Sequence, residues 1–312
     1  LGWAAQRSLQ YVGAGPPSRT SQRITTTTTQ AAKITTLSEL LNTKISAAEG
    51  WPQLRCRLDP GHVDAAAVLL AEGIAHRRIG TNARLHAQWQ SRQREPSGDP
   101  LDSRDRRLLE AGLLQNIGTP AQAGPTKQLH GLVAEAVWFE VASEVDAGLG
   151  VPVRVEGHDW SVTDPGGDGL TVYTTADAGF CFRLWESKHH GTSRKVRRTV
   201  NRACRQMKSR SLSYLSRFSL IAQQITDDET LGRFYGELAE HWVNADPAAG
   251  VGISVGTDSD ANVYRCFGKV ATYFEFELDQ HQAQLHLMAD FSGLASRVRE
   301  EIWKGCGLWT EP

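Results

Sequence analysis

The chain lacks paired cysteine motifs. Its five cysteines, Cys56, Cys181, Cys204, Cys266 and Cys306, are odd in number and include no C-x-x-C pair. That speaks against a disulfide framework or a zinc ribbon and fits a reducing compartment, so a cytoplasmic location is expected. No apolar run approaches the length that crosses a bilayer, and the first residues carry no signal-peptide pattern, so no membrane partner is expected. Net charge is only −1 over 312 residues, which leaves any argument for nucleic acid to local charge. No glycine-rich nucleotide-binding loop is visible. His76, His86 and His130 share no metal-ligand spacing and read as ordinary surface or core histidines.

The most informative stretch runs from Gly166 to Lys188, GGDGLTVYTTADAGFCFRLWESK. Thr171–Val172–Tyr173 and Phe180 to Trp185 are β-prone runs, and the polar segment from Thr174 to Gly179 between them is a turn of the kind that joins antiparallel strands. If the hairpin is symmetric about Asp177, Asp168 faces Glu186. Lys188, two residues beyond Glu186, falls on the same face by strand periodicity. Adjacent carboxylates repel, and a hard divalent cation such as Mg2+ relieves the repulsion, with Mn2+ as a substitute. A lysine beside such a cation orients a water or steadies charge on a phosphoryl group. Asp168 is preferred over Asp159 and Asp164 because it lies between Gly167 and Gly169, where backbone approaches a ligand closely. The plainer reading is a surface hairpin whose charged ends pair weakly in solvent.

Two further features flank the hairpin. From Gln128 to Val145, Leu129, Leu132, Val133, Ala136, Val137 and Val141 recur at helical spacing, with Glu135 on the core side of the run. A buried acid is uncommon unless paired or bound to a metal. After the hairpin, His189 to Thr226 contains no acid and nine Lys and Arg residues. Most of these fall on a helix expected over Ser193 to Ser209. Arg194, Arg198, Arg202 and Arg205 share one face, with Lys195 adjacent and Gln206 on the same helix. A cationic helix beside a carboxylate cluster is the footprint of phosphate-backbone binding. His189 and His190 fit either a phosphate contact or a solvated turn.

Asp168, a gap, then Glu186-Ser187-Lys188 resembles the core motif of the PD-(D/E)XK nuclease superfamily. The resemblance covers roughly Gln128 to Ile225, with Gly167 standing where the family commonly has proline. It implies a restriction-endonuclease-like α/β (α+β) core, a mixed central sheet flanked by helices. It also implies Mg2+ held by Glu135, Asp168 and Glu186, with Lys188 as the fourth catalytic residue. Some families of this type carry a glutamine and a tyrosine after the Glu-x-Lys strand. Here Gln206 is the candidate, because Tyr214 lies eight residues farther on. The implied substrate is DNA, in restriction, repair or phage defence, with a helicase or other defence protein as a plausible partner. The alternatives are a nucleic-acid-binding module without catalysis and an interaction subunit whose hairpin is incidental.

Three regions follow: 1–125, mostly helical with a flexible arm; 126–226, the nuclease core; and 227–312, an α+β extension. Helices are expected at Leu37 to Ala48, Asp64 to Gly80, Asp102 to Gln115, Asp227 to Val243 and Gly293 to Trp303. Strands are expected at Val151 to Val155, Leu215 to Ile225, Val251 to Gly256, Val270 to Leu278 and Gln284 to Ala289. The threonine run Thr25 to Thr29 fits either a mobile arm or an edge strand.

Overall fold

In the computed structural model the described residues are 36–47, 49–97, 101–157, 168–191, 195–258, 263 and 265–309, without the side chains of 221–225. In chain order they form β1 (Leu41–Ser46), β2 (Gln53–Leu58), α1 (Val63–Ile79), α2 (Ala83–Arg94), α3 (Ser103–Leu113) and α4 (Thr126–Glu144). Then come β3 (Arg154–Gly157), β4 (Gly169–Thr174), β5 (Phe180–His190), α5 (Arg197–Ile225), α6 (Glu229–Val243), β6 (Val251–Thr257), β7 (His281–Met288) and α7 (Phe291–Gly305). The threonine run, Asp159, Asp164 and Arg194 lie outside the described residues.

The seven strands make one mixed sheet in the order β1-β2-β7-β6-β5-β4-β3. β3, β4 and β5 pair antiparallel, and β5, β6, β7 and β2 run parallel. Strands from all three sequence regions therefore stand side by side, and the parallel centre is built from β6 and β7 of the C-terminal third. Their burial explains the place: every residue of β6 and of β7 is buried, as expected for parallel strands covered on both faces.

Alternation divides the two faces. Phe182 and Leu184 of β5 point with Val251, Ile253 and Leu285 into a core closed by α5 and α6. On the other face, Leu54, Cys56 and Met288 pack under α1, α4 and α7, while Trp185 meets Trp138 of α4 with ring centroids 5.8 Å apart. Helix starts follow local chemistry. The Asp228 carboxylate accepts from the amides of Thr230 and Leu231 at 2.9 and 3.1 Å to begin α6, and Asp102 does the same for α3.

Several expected elements take another form. Leu37 to Ala48 is a short 3-10 turn followed by β1, because Leu41 is the strand's buried residue and the rest pairs with β2 as an edge. Leu215 to Ile225 continues α5 instead of forming a strand. No glycine or proline interrupts it, and Leu215 lies on the buried stripe already carrying Val200 and Met207. Val270 to Leu278 is a 3-10 turn and irregular chain. Its alternating Phe274 and Phe276 pack on Trp242, at 6.1 and 4.8 Å between centroids, and not on a sheet. The first strand of the hairpin region begins at Arg154 instead of Val151. β2 and α2 had no counterpart in the sequence reading.

Candidate functional site: a buried carboxylate–lysine cluster

The hairpin register is the one its symmetry implies. Gly169 stands opposite Trp185 and Thr174 opposite Phe180, and the Asp168 amide donates to the Trp185 carbonyl at 2.7 Å. Asp168 and Glu186 are thereby brought to the open end together. Glu186 continues the file of Phe182 and Leu184 toward α5, so the strand that builds the core also draws this carboxylate inward. It is 0% exposed, which excludes the reading of a surface hairpin with solvated ends.

Lys188 sits between the two acids. Its ammonium contacts Glu186 Oε1 and lies 3.5 Å from Asp168 Oδ2, and it donates to the Ser187 carbonyl at 3.0 Å. Asp168 Oδ2 also accepts from the Ser187 amide at 2.5 Å. Glu186 Oε2 is buried and has no hydrogen-bond partner among the described residues. Glu135 reaches the group from α4, where it lines one pocket with Asp168. Helical spacing placed it there, one turn after the buried Leu132 and next to the buried Ala136.

The charges are frustrated. Burial, then the charge of Asp168, raises the Glu135 carboxyl from about 4.5 to about 8. The same two causes push Glu186 well above the ordinary range. For Lys188 burial would lower the ammonium, but Asp168 and Glu186 outweigh it and hold it charged. Two acids meet the one ammonium and Glu135 adds a further negative charge from α4, so both raised carboxyls favour their protonated forms. Among the described residues no three Asp, Glu, His or Cys side chains stand close enough together to hold a metal as a set. The donor chemistry nonetheless fits a hard divalent cation. The available atoms are carboxylate oxygens, one is an orphan, and excess negative charge is what such an ion relieves.

Neighbouring residues acquire definite places. Glu140 pairs with Arg77 at 2.8 Å, and Glu144 accepts from the Ser38 amide at 2.7 Å, so both acids of α4 beyond Glu135 are structural. Gly169 admits the Trp138 ring, since a Cβ there would lie 2.1 Å from Trp138 Cη2. Its lack of a side chain serves packing against α4, not ligand approach. His189 and His190 are the last residues of β5, not a solvated turn. His189 packs against His130 and Phe291 at 4.5 and 4.4 Å between centroids, and burial lowers its imidazole to about 4. His190 Nδ1 meets Thr199 Oγ1 at 2.7 Å.

α5 is amphipathic in the required sense. Val196 before its first residue, then Val200, Ala203, Cys204 and Met207, are buried, while Lys195, Arg197, Arg198, Arg202, Arg205 and Lys208 are exposed. None of these six makes an ion pair among the described residues. Arg198 to Arg205 span about 10 Å of helix axis. Gln206 is half-buried on this helix.

Three residues near the cluster escaped the sequence reading. Tyr214 is 4% exposed, and burial, then the charges of Asp168, Glu186 and Glu135, raise its hydroxyl. Of the Gln206 and Tyr214 pair, Tyr214 is the more deeply buried. Its position follows from the unbroken length of α5, two turns beyond Gln206. Arg77 and Arg78 of α1 line the same pocket as Glu135 and Asp168. No local pattern marks them, because α1 precedes α4 by a long stretch of chain. No family model matches the chain, and no curated protein matches it.

Proposed function

We propose that the chain is a metal-dependent nuclease that hydrolyses phosphodiester bonds of DNA. The observation that carries this reading is the Asp168–Lys188–Glu186 cluster at the open end of the β4–β5 hairpin, with Glu186 fully buried and Glu135 lining a pocket with Asp168. An ion pair made for stability alone does not need a third acid pushed toward neutrality or an orphaned carboxylate oxygen. The order α4–β3–β4–β5–α5–α6–β6 is also compatible with a restriction-endonuclease-like core.

In this reading Glu135, Asp168 and Glu186 hold Mg2+, or Mn2+ in its place. The ion, when bound, supplies Lewis acidity toward a phosphoryl oxygen. Lys188, whose ammonium contacts Glu186 and lies 3.5 Å from Asp168, would orient the attacking water and steady charge on the phosphoryl group. The Ser187 amide fixes the Asp168 carboxylate through a charge-assisted hydrogen bond. The exposed cations of α5 hold the strand's backbone. Restriction or phage defence in the cytoplasm, beside a helicase or other defence protein, is the setting this activity suits.

A second reading, nucleic-acid binding without cleavage, is favoured by one observation: no three metal-type side chains are gathered among the described residues. Incubation with plasmid and linear DNA in Mg2+, Mn2+ or EDTA separates the two. Metal-dependent cutting, lost in both Glu186→Ala and Lys188→Ala, supports the nuclease. Salt-sensitive binding without cutting, unaffected by Glu186→Ala, supports the binding module.

A further inference from the structure

Arg183 of β5 is 3% exposed, and among the described residues it forms no ion pair with a carboxylate. Its guanidinium donates from Nη1 to the Phe182 carbonyl at 2.8 Å and from Nη2 to the Asp279 carbonyl at 3.1 Å. The buried Nε finds no acceptor among the described residues. A guanidinium does not give up its proton in a protein, so the charge itself sits in the core. Burial works against it, and little offsets the burial. The nearest help comes from the Cys181 thiol and the Tyr173 phenol, whose protons burial holds in place, and then from the exposed Asp279. Tyr173 stands two residues from Thr171, the partner of Arg183 in the β4–β5 register, and so shares the face of Arg183. Gln282 of β7 is on that face too, in line with Gly252 and Trp185. The Tyr173 hydroxyl donates to Gln282 Oε1 at 3.1 Å, a hydrogen bond that crosses β5 and β6 beside Arg183. Gly250 leaves the room for this, since a Cβ there would lie 2.6 Å from Arg183 Cδ. With its oxygen engaged, Gln282, a residue 1% exposed, keeps a buried Nε2 that has no acceptor among the described residues. Both orphaned atoms are donors.

We propose that Arg183 and Gln282 form a buried binding site for a small monovalent anion of the chloride class, with Tyr173 holding the Gln282 amide in place. The inference does not depend on the nuclease reading. An anion supplies the acceptor that both donors need and the negative charge that the guanidinium needs, whereas a water molecule supplies only the first. One guanidinium balances one negative charge, which a phosphate dianion exceeds. Thr171, Tyr173, Cys181, Arg183 and Gln282 are each less than a tenth exposed, so a single-atom ion suits a place where the body of an organic acid has no outlet. Arg183 lies three residues before Glu186, about 10 Å along the strand. The anion is therefore separate from the carboxylate cluster and anchors the other half of β5.

The test unfolds wild type, Arg183→Met, Gln282→Glu and the exposed control Arg104→Ala in urea at constant ionic strength, with sodium chloride replacing sodium gluconate stepwise. Above its dissociation constant a single bound anion raises the folding constant in proportion to its concentration. A tenfold rise in chloride therefore raises that constant up to about tenfold in wild type and in Arg104→Ala. Arg183→Met exchanges a buried charge for an apolar side chain, a change that cores tolerate, and its folding constant moves by less than about twofold over the same range. Gln282→Glu keeps an acceptor for Tyr173, supplies the negative charge itself and loses the chloride response. It carries the result if circular dichroism shows Arg183→Met unfolded. Crystals grown in bromide give the position, with an anomalous peak expected between Arg183 Nε and Gln282 Nε2. A chloride response equal in wild type and Arg183→Met, or absent from wild type, overturns the proposal and leaves water as the partner of the two donors. A bromide peak without chloride-dependent stability marks an adventitious ion only and overturns it as well. The nuclease reading stands under either result.

Discussion

Replacing Lys188 by methionine removes the only ammonium between two acids and keeps most of the side chain's apolar volume. At the 3.5 Å that separates Lys188 Nζ from Asp168 Oδ2, Coulomb's law at an effective dielectric near 20 gives about 5 kcal/mol of attraction. Desolvation of the ammonium offsets part of it, so a loss of about 3 kcal/mol at neutral pH is expected, the lower end for breaking a buried pair. The sign of the pH dependence follows from proton counting. Without Lys188 the folded state holds its acid protons more tightly, so the variant binds more protons than wild type and loses stability faster as pH rises. Below the range in which Asp168 and Glu186 ionise, neither acid needs a cation and the difference closes. Urea unfolding across pH measures this directly. Adding Glu186→Gln to Lys188→Met removes one of the stranded acids and returns more than about 1 kcal/mol, a coupling that a double-mutant cycle reads. If Lys188→Met unfolds with wild-type stability at neutral pH, or with a loss that does not vary with pH, the cluster is not the charge-frustrated site described above.

Three other perturbations probe separate parts of the account. Gly169→Ala places a Cβ 2.1 Å from Trp138 Cη2 and 2.7 Å from the Glu156 carbonyl, so overpacking of about 1–3 kcal/mol is expected, and unchanged urea stability would show that α4 does not press on the hairpin. Burial lowers His286 from 6.5 to about 3. The unfolded chain therefore takes up a proton first, and stability falls as pH drops below about 6.5, by about 2 kcal/mol at pH 5. His286→Gln removes that share of the acid slope, and a slope identical to wild type would contradict the assignment. Arg198→Glu with Arg202→Glu weakens DNA binding, and the salt dependence of log K falls by about two units of slope; binding that keeps its salt slope would move the backbone contact away from α5.

How much was legible in the sequence follows the range of the forces involved. The hairpin was readable because turn chemistry at Thr174 to Gly179 and β-propensity on either side fix register locally, so Asp168 opposite Glu186 followed by symmetry. Glu135 was readable because its neighbours at Leu132 and Ala136 define a buried helical stripe. The length of α5 was not, since an apolar run such as Leu215 to Ile225 serves strand or helix equally until its partners are known. β2 carries a local alternation in Leu54, Cys56 and Leu58, but it is short and lies between two stretches with helical patterns. The placement of β6 and β7 at the sheet's centre, and of Arg78 beside Glu135, depends on pairings between segments far apart in sequence. No local pattern records such pairings. Tyr214 lies too far from Gln206 for a compact pair by spacing alone, and the unbroken α5 carries it two turns on in the same helix.

Glu135, Asp168 and Glu186 are proposed to hold a divalent cation whose place Lys188 takes in the metal-free protein. Calorimetric titration of Mg2+ into wild type and Glu186→Gln, repeated in two buffers of different ionisation enthalpy, tests this most directly. Binding by wild type is predicted, with protons released as the raised carboxyls of Glu135 and Glu186 ionise toward the ion. Glu186→Gln should bind at least about tenfold more weakly and release fewer protons. Wild type and Glu186→Gln binding Mg2+ equally, or neither binding it, would contradict the account.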